Sequence, residues 1–183
     1  MTRPQLEHIL RAAAAITGAD RFVVVGSQAI LGQHTNPPAE LIESMEADVF
    51  SLRSPMDAEL IDGSIGEASP FHQTFGYYAH GVGEETSILP AGWIERLVPL
   101  RTPSTGGATG LCLDPHDLAV AKIVAGREKD LAFVGSLLRH RMVDIAKIRS
   151  RLAATSLSDA QRNQCLARLS NIDPDLPDRA PVA

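Results

Sequence analysis

The sequence predicts an α+β fold, a small mixed β-sheet flanked by helices and followed by a C-terminal helical segment. Three observations carry this. Leu6, Ile9, Leu10, Ala13 and Ile16 recur at helical spacing near the N-terminus. A short apolar run, Arg21 to Val25, and an alternating segment, Ala47 to Leu52, follow as strand candidates bounded by turn residues. From Asp114 onward, helical periodicity is punctuated by capping residues and glycine. A chain of 183 residues is long enough for one well-formed core and short for two. The expected layout is a single domain over 1–172, sheet-rich at 20–113 and helical at 114–170. The tail 173–183, with Pro174, Pro177 and Pro181, is expected to be disordered.

The opening helix spans Thr2 or Arg3 to Ile16, and Gly18 is its natural stop. RFVVV, Arg21 to Val25, is β-branched and too apolar for one wet face, so it reads as a central strand ended by Gly26 and Ser27. Ser27 to Gly32 can turn into a helix whose first N–H groups lie beside Gly26, where an anion can dock. His34 to Pro38 is a loop. Ala47 to Leu52 is the second strand, reached through the acidic stretch Glu40, Glu43, Glu46. Met56 to Ile65 can form a helix, Pro70 to Tyr78 is ambiguous, and Tyr78 to Leu89 holds one or two further strands broken by glycine. Trp93, Ile94, Leu97 and Val98 read as a core-packing segment. Pro103 to Gly110 is a flexible loop, better suited to a mobile flap than to phosphate binding, since it lacks the lysine of a P-loop. Helices follow at Pro115 to Ala125, capped by Asp114 and stopped by Gly126, then at Glu128 to His140, Asp144 to Leu152 and Ser158 to Leu169.

Composition narrows the function classes. Hydrophobic residues make up 44% and charged residues 21%, which fits a folded globular chain rather than a disordered one. No apolar run approaches the roughly 20 residues of a membrane span, and no signal-peptide layout opens the chain, so a cytoplasmic protein is expected. Cys112 and Cys165 are far apart and read as reduced packing residues. The six histidines show no metal-ligand spacing, which disfavours a zinc site; His34 and His80 are read as loop residues bordering the cleft and are given no role. Aromatic content of 4% disfavours nucleic-acid reading by stacking. The net charge of −5 is unevenly placed. Residues 1–100 carry 5 basic and 13 acidic groups (−8), and residues 101–170 carry 11 and 6 (+5). The basic segment offers a surface for phosphates or a plain solvated one.

The informative constellation is strand, Gly26-Ser27, turn, and then Glu46-x-Asp48 on the next strand. Carboxylates at i and i+2 on a strand point to one face, their Cα atoms roughly 6 to 7 Å apart, so both can ligate one ion. Magnesium takes oxygen ligands of this kind. The plain alternative is a tight turn beside a solvated strand face.

These residues, VGSQAIL (Val25 to Leu31) and MEADVF (Met45 to Phe50), resemble the motif of the polymerase-β-type nucleotidyltransferase superfamily. The later stretch DLAVAKIVAGREKDL, Asp117 to Leu131, looks most like the bacterial group of AbiE-type toxin nucleotidyltransferases and related uncharacterised proteins. The likeness covers roughly residues 20 to 140. It implies a nucleoside triphosphate substrate, a tRNA or protein acceptor, a toxin–antitoxin setting with an antitoxin partner, and Mg²⁺ held by Glu46 and Asp48. It further implies that Gly26, Ser27 and nearby N–H groups hold the terminal phosphates and that Lys122 pairs with the triphosphate. Arg127 and Lys129 would add positive charge for phosphates, and Asp130 an acid near nucleotide or acceptor.

Two departures from the motif stand out. The first acid is Glu46 rather than the commoner Asp. The third carboxylate, expected on a neighbouring strand before Ile88, is replaced by Thr86 and Ser87, which leaves Glu85 as the nearest substitute for a third ligand or general base. A catalytically silent nucleotide binder and a purely protein-interacting domain therefore stand beside the enzyme as alternatives.

Overall fold

The computed structural model describes residues 1–172; the tail for which disorder was expected lies outside them. Helix α1 (Arg3–Thr17) starts with Pro4 in its first turn and ends on Gly18 in the left-handed region. The sheet comprises β1 (Arg21–Val25), β2 (Glu46–Ser51), β3 (Tyr78–Gly81), β4 (Val98–Leu100) and β5 (Thr109–Cys112), in the order β3-β2-β1-β5-β4. It is mixed: β1 is antiparallel to β2 and parallel to β5, β2 is parallel to β3, and β4 is antiparallel to β5. The apolar run of β1 accordingly lies at the centre, with Phe22 to Val25 all buried. The α+β architecture with a C-terminal helical segment is the one the residue pattern predicts.

Side-chain alternation divides the two sheet faces. Ala47 and Val49 face one way, in register with Ala79 and Gly81. Helix α2 (Asp57–Ile65) packs so closely there that a Cβ on Gly81 would meet the Ala58 carbonyl oxygen at 2.2 Å. Glu46 and Asp48 occupy the alternate positions and share the other face with Tyr78 and His80.

The segment 70–110 departs most from expectation. The ambiguous stretch is a short helix, α3 (Pro70–Phe75), capped by Ser69, whose hydroxyl accepts the His72 N–H. Between Tyr78 and Leu89 a single strand forms. Val98–Leu100 and Thr109–Cys112 become β4 and β5, which the residue pattern had left as a packing segment and the end of a loop. The expected flap is anchored. The Thr105 hydroxyl bonds to the carbonyls of Thr102 (2.9 Å) and Ala108 (2.6 Å), and Arg11 of α1 reaches the Ser104 carbonyl.

Helices α4 (Pro115–Ala125), α5 (Glu128–Arg139), α6 (Ile145–Ala153) and α7 (Asp159–Asn171) follow the predicted caps closely. Asp114 accepts the His116 N–H, and Gly126 closes α4 at φ 68°. Salt bridges tie the helical part together: Arg151 of α6 reaches both Asp114 and Asp117, and Arg96 from the sheet-rich part holds Asp117 at 2.8 and 3.1 Å. Arg168 of α7 donates to the last free carbonyls of α4, Ile123 (2.8 Å) and Val124 (3.0 Å). Both cysteines are free and buried, as expected. Among the described residues, no helix is long and apolar enough to cross a membrane.

Candidate functional site

The site starts where β1 ends. Gly26 has φ 65°, and a Cβ there would lie 2.1 Å from Asp48 Oδ2. Both the backbone conformation and the approaching carboxylate require glycine. The chain then enters a single 3₁₀ segment, Ser27–Gly32, rather than the α-helix its apolar residues allow. Pairing of Val25 with Asp48 sets the carboxylate beside the turn.

Glu46 and Asp48 do share a face of β2, and the neighbouring strand completes the group. The Tyr78 hydroxyl donates to Glu46 Oε2 at 3.1 Å. His80 Nδ1 lies 3.1 Å from both Glu46 Oε1 and Asp48 Oδ1. Ligand atoms of Glu46, Asp48 and His80 all fall within 4.8 Å of one another. Burial and the adjacent Glu46 charge push the Asp48 carboxyl up to about 6. Burial and Glu46 likewise lift the Tyr78 phenol to about 12. His80 is pulled down by partial burial, but the hydrogen bond and charges of the two carboxylates outweigh this and leave it above its ordinary value.

A cavity of about 1010 Å³ is lined by Gly26, Ser27, Glu46, Asp48 and His80 together with Lys122, Arg127, Lys129 and Asp130. Residues separated by some hundred positions thus border one space. Lys122 is buried, with its ammonium 2.9 Å from Asp130 Oδ1 and 4.6 Å from the centre of the Phe133 ring. Asp130 is wholly buried, and Arg127 donates to its other oxygen. Burial opposes ionisation of Asp130, yet Arg127 and Lys122 hold its carboxyl below the ordinary range. This geometry makes Asp130 an anchor that positions two cations. Arg127 and Lys129 are exposed at the cavity rim.

Glu85 stands apart from the pair. It is exposed in the 3₁₀ turn Glu84–Thr86, its carboxylate lies over Gly83, and it is not among the cavity-lining residues, whereas Thr86 and Ser87 are. The neighbouring-strand position opposite Asp48 is taken by His80, which the residue pattern had assigned to a loop. A signal for it existed: Tyr78-Ala79-His80 repeats the polar-Ala-polar pattern of Glu46-Ala47-Asp48, in parallel register. Only the pairing shows that the two triplets are neighbours. His34 is not among the cavity-lining residues.

The donor set fits a divalent cation. Two carboxylates and an imidazole converge beside a turn where a Cβ would collide with the outer oxygen of Asp48. No curated protein and no solved structure was found to match the chain. Residues 4–172 match the family described as Nucleotidyltransferase of unknown function (DUF6036). With nearly the whole described chain matched, and the glycine turn, paired carboxylates and cationic helices gathered in one cavity, the protein belongs to this nucleotidyltransferase family.

Proposed function

We propose that the protein transfers a nucleotidyl group from a nucleoside triphosphate to an acceptor hydroxyl on tRNA or on a protein, with a divalent cation, magnesium by default, on Glu46 and Asp48. The supporting observation is the shared cavity of Gly26, Ser27, Glu46 and Asp48 with Lys122, Arg127 and Lys129. When bound, the cation would neutralise phosphate charge and polarise the phosphorus centre. Ser27 and adjacent N–H groups would hold the terminal phosphates, beside the Asp48 carboxylate that Gly26 makes room for. Lys122, kept in place by Asp130 and Phe133, would pair with the triphosphate, and Arg127 and Lys129 would draw it in from the rim. Tyr78 orients Glu46, and a cation bound between the pair would offset the burial and mutual repulsion that raise the Asp48 carboxyl in its absence. Glu85 would need the turn at 84–86 to rearrange before it could join them. The likeness to AbiE-type proteins supports a cytoplasmic toxin controlled by an antitoxin.

The test is incubation of the purified chain with α-labelled nucleotides, Mg²⁺, tRNA and lysate protein. Label should pass to an acceptor and be lost in Asp48→Asn. Absence of labelling with every nucleotide, or unchanged labelling by Asp48→Asn, would overturn the reading. The exposed Glu85, outside the cavity that Thr86 and Ser87 line, favours one alternative, a catalytically silent nucleotide binder. Calorimetry would identify it by cation-dependent nucleotide binding without turnover.

A further inference from the structure

His80 and Asp48 are register partners on adjacent parallel strands, and Glu46 lies one side-chain repeat away on the same face. The imidazole nitrogen turned toward the pair, Nδ1, is 3.1 Å from one oxygen of each carboxylate. Neighbouring ligands on an octahedral ion with bonds of about 2.1 Å lie about 3 Å apart, so the donors already stand near the spacing of adjacent ligands on one ion. The remaining oxygens are directed elsewhere: Glu46 Oε2 accepts from Tyr78, and Asp48 Oδ2 fills the space left open by Gly26. Such outer contacts fix the orientation of ligands before an ion arrives.

We infer that His80 is a third, nitrogen ligand of the cation, and that this mixed site holds first-row ions, the borderline Co²⁺ above all and Mn²⁺ less strongly, more tightly than Mg²⁺. The inference rests on the reading that Glu46 and Asp48 face a cation, and it refines the metal class expected from two carboxylates alone. Imidazole is a softer donor than carboxylate, and affinity at such sites rises along the first-row series from Mn²⁺ through Co²⁺. Mg²⁺ prefers oxygen and gives up its water reluctantly. His80 lies on the edge strand β3 and is half exposed, so its replacement removes a donor without opening the core.

The experiment is direct binding without nucleotide. Mn²⁺ is titrated by electron paramagnetic resonance, with pulsed detection of ¹⁴N coupling, and Co²⁺ by visible absorption, each in competition with Mg²⁺. The wild-type chain should bind Mn²⁺ with a histidine nitrogen coupling and favour Co²⁺ over Mg²⁺. Loss of a ligand should cost no less than loss of an outer contact, so His80→Ala should weaken Co²⁺ binding about tenfold or more and abolish the nitrogen signal. His80→Asp should also lose that signal while regaining Mg²⁺. Bound Mn²⁺ without ¹⁴N coupling, a Co²⁺ preference kept by His80→Ala, or no saturable binding of any of these ions would overturn the inference. The nitrogen signal is read on the wild-type protein, so it does not depend on the variants folding. Nitrogen-coupled Mn²⁺ in a chain that labels no acceptor would sink the transfer reading and leave this one standing.

Discussion

Gly26 and Asp48 show how a single atom can set the limits of the site. Alanine at 26 must adopt φ near 65° and place a methyl on the Asp48 carboxylate. The expected cost is about 1–3 kcal/mol of folding stability, with loss of nucleotide labelling, as urea unfolding and the labelling assay would measure. Asp48 itself burdens the fold when no cation is present. Its folded pKa of about 6 lies above the ordinary 3.8, so the folded state binds the proton more tightly than the unfolded one. That contribution favours folding in acid and is lost as pH rises from about 4 to about 6. In chelator at neutral pH, Asp48→Asn should therefore be more stable than wild type by about 1–3 kcal/mol, and the gap should close below pH 4. Equal melting temperatures for the two proteins at neutral pH would contradict this.

Helix α4 carries Lys122 into the cavity and is tied at both ends. Asp114 caps its N-terminus and pairs with Arg151 of α6; Arg168 of α7 covers its C-terminal carbonyls. Burial raises the Asp114 carboxyl, but hydrogen bonds from His116 and Arg151 and the Arg151 charge overcome this and hold it well below the usual carboxylate range. A lowered carboxyl supports folding above its unfolded pKa and loses that support as the buffer is acidified. Asp114→Ala should cost about 2 kcal/mol near neutral pH, with the difference shrinking in acid, as paired denaturant titrations would show. His80 and Glu85 make the complementary point. Glu85 had the right charge and only an approximate place in sequence, whereas His80 lay in strand register with Asp48, and register decides which side chains meet.

For the whole molecule, the charge imbalance between the first hundred residues and the helical part becomes a working arrangement. The acids Glu46 and Asp48 and the cations Lys122, Arg127 and Lys129 border one cavity, the first group from the sheet and the second from α4 and α5 and the turn between them. Arg96 on Asp117 and the contact of α5 with the 39–41 turn link sheet and helices. The chain should accordingly unfold as one cooperative unit, with coincident transitions by far- and near-ultraviolet circular dichroism. Two separated transitions would show that 20–113 and 114–170 are independent.

What the sequence determined by itself was most of what depends on near neighbours. The 3.6 and 2.0 periodicities placed α1, β2 and the four C-terminal helices, an unbroken β-branched run placed β1, caps such as Asp114 and Gly126 bounded α4, and the i, i+2 spacing put Glu46 and Asp48 on one face. Tertiary structure alone decided the rest. Strands β4 and β5 are short, and β5 contains Gly110, which fits beneath Leu10 of α1; no local preference marks them as strands until partners supply the hydrogen bonds. His80, the third member of the cluster with Glu46 and Asp48, was hidden for the same reason. Side chains 32 residues apart become neighbours only through strand pairing, and pairing energy belongs to the sheet rather than to any residue in it.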